Sequence, residues 1–218
     1  MPEQPSTQRR FEELWAGRGY STRIQNFQEL MRFKVRDILL ISSLYDSYIL
    51  EEDGRLFELI QEEYRGLDMN QAPDIIHVSN GTEAINLLDR QHRFDLILMT
   101  LHIEDIHAIA LAKKIRTLGH EMPIIVLAYD NVETQEVMTH KDADIFENIF
   151  IWQGDYRLLI GIIKYIEDKM NFAHDSRAIG VQGIILVEDN IKFYSSYLPI
   201  IYTEIHRQSQ RLISEGIN

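Results

Sequence analysis

Five short apolar runs recur along this chain, and stretches with helical periodicity separate them. Ile38, Leu39, Leu40 and Ile41 form an unbroken apolar run of the kind found in strands buried on both faces. Similar runs follow at 75–78 (IIHV), 95–100 (DLILMT), 124–128 (IIVLA) and 148–152 (NIFIW). Between them, Tyr48, Ile49, Leu56, Leu59 and Ile60 keep a helical spacing. Residues 82–91, 105–118, 132–140 and 156–170 also read as helices. Strands that alternate with helices call for a parallel sheet covered on both sides and joined by right-handed crossovers. The expected fold is therefore α/β, a doubly wound five-stranded parallel sheet. In such folds ligands sit at the carboxyl ends of the strands, so those ends are where chemistry must be sought.

The flanks bound the domain organisation. Residues 1–34 read as an N-terminal helical extension, with Phe11, Leu14, Trp15, Phe27, Leu30 and Met31 at helical spacings. Residues 35–172 hold the five-stranded domain, and the polar stretch 173–183 reads as a linker. The pattern then restarts at 184–218. The run 184–187 (IILV), the acidic pair Glu188 and Asp189, and an amphipathic helix repeat the first strand–helix unit. A lone βα unit cannot bury its own faces, so 184–218 is expected to be the first piece of a truncated second domain.

Composition excludes several classes of function. The formal net charge of −12 argues against a nucleic-acid partner, because phosphate binding needs a positive surface. Lys113, Lys114 and Arg116 are expected to be a solvated helix face. The absence of cysteine rules out disulfides and thiolate metal sites and fits a cytoplasmic location. No apolar run approaches the roughly 20 residues of a spanning helix, so no membrane role is expected.

The alternation over about 35–170, and above all the stretches 94–116 (FDLILMTLHIEDIHAIALAKKIR) and 123–128 (PIIVLA), resembles the receiver domains of two-component response regulators. The resemblance implies the strand order 2-1-3-4-5. It also implies an acidic pair after the first strand, a phosphoacceptor aspartate after the third, a hydroxyl after the fourth and a lysine after the fifth. Phosphoryl transfer to a carboxylate needs Mg²⁺ to offset charge, and Mg²⁺ needs hard carboxylate oxygens. Aligned this way, the acidic pair falls on Ser42 and Ser43, and the phosphoacceptor on Thr100. The hydroxyl falls on Ala128 and the lysine on Trp152. The expectation is a receiver-like domain that cannot be phosphorylated, with no catalytic residue and no cofactor. Glu188 and Asp189 resemble an intact acidic pair, without the third-strand aspartate that would complete it.

The stretches 150–171 (FIWQGDYRLLIGIIKYIEDKMN) and 185–205 (ILVEDNIKFYSSYLPIIYTEI) resemble the N-terminal regulatory part of bacterial phosphoenolpyruvate synthase/pyruvate phosphate dikinase-like proteins. That resemblance implies a regulatory piece of a phosphotransferase whose catalytic region lies elsewhere. Neither a Gly-rich phosphate loop nor a phospho-carrier histidine motif is present in these 218 residues.

Other groups read more simply. His102, Glu104, Asp105 and His107 follow the third strand but lack metal-ligand spacing, so a polar loop-to-helix start is expected. Ser43 and Asp46 read as a capping pair. Asp46 reaching back to the strand ends, in place of the lost acids, is the alternative. Trp152 is expected to plug the vacated phosphate site. Tyr194, Tyr197, Leu198, Ile201, Tyr202 and Ile205 form an apolar helix face, whose expected partner is a neighbouring domain or a second copy in a homodimer.

Overall fold

The computed structural model describes residues 31–51, 55–66, 71–179 and 183–216. The helical extension expected within residues 1–30 lies outside them. The described residues fall into two compact units, one within 34–167 and 186–216, the other within 31–33 and 168–185.

The first unit holds five parallel strands, β1 (Asp37–Ile41), β2 (Asp74–Val78), β3 (Leu96–Thr100), β4 (Ile124–Ala128) and β5 (Asn148–Ile151), in the order β2-β1-β3-β4-β5. The order is the expected one, and the register is regular. Leu39 stands beside Ile76 and Ile97, Met99 beside Val126, and Val126 beside Ile149. Alternate residues face opposite layers. Leu39, Ile41, Ile97, Met99, Ile124 and Val126 pack with Ala84 and Leu88 of α3 (Gly81–Arg90) and Ile109, Ala112 and Ile115 of α4 (Ala108–Thr117). Ile38, Leu40, Leu98, Ile125, Leu127 and Phe150 have the other parity and are equally buried. On that side Phe150 meets Tyr165 of α6 (Arg157–Ile179) edge to face at 6.2 Å. Burial on both faces is why the strands read as continuous apolar runs.

The helical stretch after β1 forms two helices, α1 (Leu44–Glu51) and α2 (Leu56–Gly66), on either side of residues 52–54, which lie outside the described residues. Helix α5 (Asn131–Met138) follows β4. Its N-cap Asp130 accepts from the amides of Val132 and Glu133 at 2.7 and 2.9 Å.

Two expectations are corrected. The linker expected at 173–183 is helical as far as Ile179, because α6 continues through it. Its polar residues serve the backbone within the smaller unit. Asn171 accepts from the Phe33 amide at 2.8 Å and donates to the Phe33 carbonyl at 2.7 Å. Asp175 accepts from the Met31 amide at 3.1 Å. The strand expected at 184–187 does not form. Ile184, Ile185 and Val187 are 75, 86 and 87% exposed. A strand is held by a ladder partner, and none pairs with this run among the described residues.

The helix that follows, α7 (Ile191–Gly216), finds a partner in its own chain. It lies along β5, the edge of the sheet. There Ser195 Oγ accepts the Ile151 amide at 2.9 Å, satisfying a buried edge donor. Tyr194 stacks on Phe150 with ring centroids 5.8 Å apart. Gly161 of α6 allows close approach, because a Cβ there would lie 3.2 Å from the Pro199 backbone nitrogen. Among the described residues no helix is long and apolar enough to cross a membrane.

Candidate functional site at the carboxyl edge of the sheet

The sheet brings the five aligned positions to one edge. Ser42 directly follows β1, Thr100 and Ala128 end β3 and β4, and Trp152 directly follows β5. Ser43, the fifth position, and Thr100 are held through the main chain of the loop after β3. The Ser43 amide and the Thr100 hydroxyl both donate to the His102 carbonyl, at 2.9 and 3.3 Å. Ser42 is buried, and its carbonyl accepts from His77 Nε2 of β2 at 3.0 Å, with Ser42 Oγ also 3.0 Å from that nitrogen. The Trp152 amide donates to the Ala128 carbonyl at 2.8 Å, which carries the β4–β5 pairing one step beyond the strands. Trp152 is buried, and its indole Nε1 has no hydrogen-bond partner among the described residues.

None of these five side chains is charged. The charge at this edge comes from residues beside them. Ser43 Oγ accepts the Asp46 amide at 3.1 Å, so the serine half of the capping pair holds. Asp46 does not reciprocate, because the Ser43 amide is already bonded to His102. The Asp46 side chain is instead 3% exposed, and its Oδ2 is buried without a hydrogen bond from any described residue. His102 Nδ1 stands 3.6 Å from Asp46 Oδ2 and 3.8 Å from Glu133 Oε1, beyond hydrogen-bonding distance of both.

Tyr129 closes the group. Its amide donates to Glu133 Oε2 at 2.7 Å, and its hydroxyl donates to the Asp46 carbonyl at 3.5 Å. Burial, then the charges of Asp46 and Glu133, push the Tyr129 hydroxyl far above the usual phenol range. It remains a neutral donor at any physiological pH.

Sequence reasoning did not single out Tyr129, Glu133 or His77. The signal for Glu133 was present in the spacing Asp130-x-x-Glu133, a helix-start pattern whose acid turns back toward the preceding strand end. Other expected groups disperse. Asp105 accepts from the Gly81 amide at 2.6 Å and from the Thr82 amide and hydroxyl at 3.0 and 2.6 Å. That contact with the Thr82 hydroxyl, aided by the two amides against a smaller opposing effect of burial, holds its carboxyl below the usual range. His107 instead lies 3.4 Å from Glu136. Among the described residues no three His, Asp or Glu side chains are grouped so as to hold a metal ion. Glu188 and Asp189 lie ahead of α7 rather than at a strand end, where Glu188 Oε1 accepts the Asn190 amide at 3.0 Å.

Residues 49–150 match the sequence model of the response regulator receiver domain. No curated protein matches the chain. Among solved structures, a CheY-like receiver domain from Methylobacillus flagellatus is 17% identical, covering 61% of this chain and 99% of its own, with a TM-score of 0.46. The receiver domain of an HD domain-containing protein from Pseudomonas fluorescens is 16% identical over 66% and 95%, with a TM-score of 0.48. The response regulator TrrA from Thermotoga maritima, solved with Mg²⁺ and BeF, is 17% identical over 60% and 98%, with a TM-score of 0.45. The model match at residues 49–150, on a sheet of order 2-1-3-4-5, makes this part of the chain similar to the receiver domains of response regulators.

Proposed function

We propose that this receiver-like domain is not switched by phosphorylation and works as a regulatory, protein-binding module without enzymatic activity of its own. One observation carries the reading. Ser42, Ser43, Thr100, Ala128 and Trp152 occupy the strand ends where phosphoryl chemistry would need carboxylates, a hydroxyl and an ammonium group. Hydroxyls in place of the acidic pair do not supply the anionic oxygens that hold Mg²⁺. A threonine in place of the phosphoacceptor cannot form an acyl phosphate. An indole offers one N–H and no positive charge for phosphoryl oxygens.

Titration of the 218-residue chain with Mg²⁺, followed by Trp152 fluorescence and amide NMR shifts, tests this. No saturable change at the amides of Ser42, Ser43, Thr100 and Trp152 is expected. Saturable binding there would contradict the reading.

The stripe of Phe193, Tyr197 and Ile200 on α7 remains exposed and supports self-association through that helix. Light scattering of the Phe193→Glu, Tyr197→Glu variant against the parent chain tests it, with a smaller mass expected for the variant. The resemblance of residues 150–171 and 185–205 supports placing the module in a phosphoenolpyruvate synthase-like protein, as a regulatory rather than a catalytic part.

A further inference from the structure

A buried carboxylate needs a cation or a set of donors, and among the described residues Asp46 Oδ2 has neither a hydrogen bond nor a lysine or arginine paired with it. A second carboxylate oxygen, Glu133 Oε1, faces the same imidazole from the other helix. His102 occupies the place between them without hydrogen-bonding either, and its side chain is 62% exposed. The place between the two carboxylates is thus filled by one exposed ring. Exposed apolar and aromatic side chains stand on the same helix as Asp46. Leu44, Tyr45 and Tyr48 share one face of α1 and are 67, 74 and 69% exposed. Val132, next to Glu133, is 74% exposed.

We propose that this edge binds an arginine-bearing segment of a partner protein. The guanidinium takes the place between Asp46 and Glu133 now filled by His102, and apolar residues of the segment cover Leu44, Tyr45 and Tyr48. Arginine fits better than lysine because its planar fork reaches two carboxylates at once and stacks on tyrosine rings. A protein segment fits better than a small amine because only a segment also covers the exposed apolar side chains of α1. Charge complementarity favours the same partner, since the chain carries −12 overall.

The proposal deepens the reading of the domain as a binding module by naming the partner's chemistry. The two fail separately: Mg²⁺ binding would sink the former reading alone, and a silent peptide titration would sink this one alone.

The test is an NMR titration of the full chain at low salt with an amphipathic Leu/Arg peptide, its Leu/Glu counterpart, and methylguanidinium. The Leu/Arg peptide is expected to shift the amides of Asp46, Tyr129 and Glu133 saturably, and the Leu/Glu peptide to leave them unmoved. Affinity should fall about tenfold or more in Asp46→Asn and in Glu133→Gln, since each leaves the guanidinium with one carboxylate. His102→Ala should bind more tightly than the parent, because the place between the carboxylates is vacated. Circular dichroism checks that each variant folds, and Glu133→Gln, nearer the surface, carries the test should Asp46→Asn unfold. Equal affinity in Glu133→Gln, weaker binding in His102→Ala, or methylguanidinium binding as tightly as the peptide would each overturn the proposal.

Discussion

Two segments of this molecule begin with almost the same words and end differently. Residues 38–41 (ILLI) and 184–187 (IILV) are each a four-residue apolar run followed by a polar turn and a helix. The first is the central strand β1, hydrogen-bonded to β2 and β3, with its apolar residues no more than 2% exposed. The second is no strand, and three of its four apolar residues are almost fully exposed. Local propensity is the same in both. The difference lies in what stands alongside, because a strand is stabilised by neighbouring ladders and by helices on its faces.

The sharpest way to break this comparison is to truncate both runs. Leu40→Ala removes a side chain packed within the sheet and should cost about 2–5 kcal/mol in urea unfolding. Ile185→Ala should stay within about 0.5 kcal/mol of the parent chain. Equal losses would mean that residues 184–187 are buried in solution and the contrast is false.

A smaller effect is expected where α7 takes over the role of a neighbouring strand. Ser195→Ala removes the acceptor of a buried edge amide, and stability should fall by about 1–3 kcal/mol. Gly161→Ala pushes a methyl against the Pro199 backbone and should loosen the same contact, read as faster amide exchange at Ile151. Unchanged exchange at Ile151 in both variants would show that α7 does not cover the β5 edge.

The smallest effect concerns Asp105, which ties the loop after β3 to the start of α3. Its carboxyl is held below the unfolded value, so its contribution is present above that value and fades as pH falls through the lower folded one. The side chain is largely exposed, so the effect is small. Asp105→Asn should flatten the acid limb of a stability-versus-pH curve slightly, and an identical curve would remove Asp105 from the account.

Much of this was legible before any coordinates. Runs such as 124–128 carry their burial on both faces in their composition, and the alternation of runs with helices calls for parallel strands joined by crossovers. The strand order, and with it the placing of Ser42, Thr100, Ala128 and Trp152 at one edge, came from the resemblance to receivers. The identity of the charged groups there was harder to read. Asp46 and Glu133 lie far apart in sequence and meet His102 only once helices α1 and α5 are docked. Ser43 looked like half of a reciprocal cap, and a main-chain carbonyl of another loop took its amide instead. The failed strand at 184–187 has the same cause, since pairing is a property of neighbours and not of a segment.

We propose that this edge of the sheet keeps a receiver's arrangement of strand ends without its phosphoryl chemistry. Incubating the 218-residue chain with acetyl phosphate and Mg²⁺ and measuring its intact mass tests that claim most directly. The account predicts an unchanged mass. A gain of one acid-labile phosphoryl group, lost on substitution at the carboxyl edge of the sheet, would contradict it.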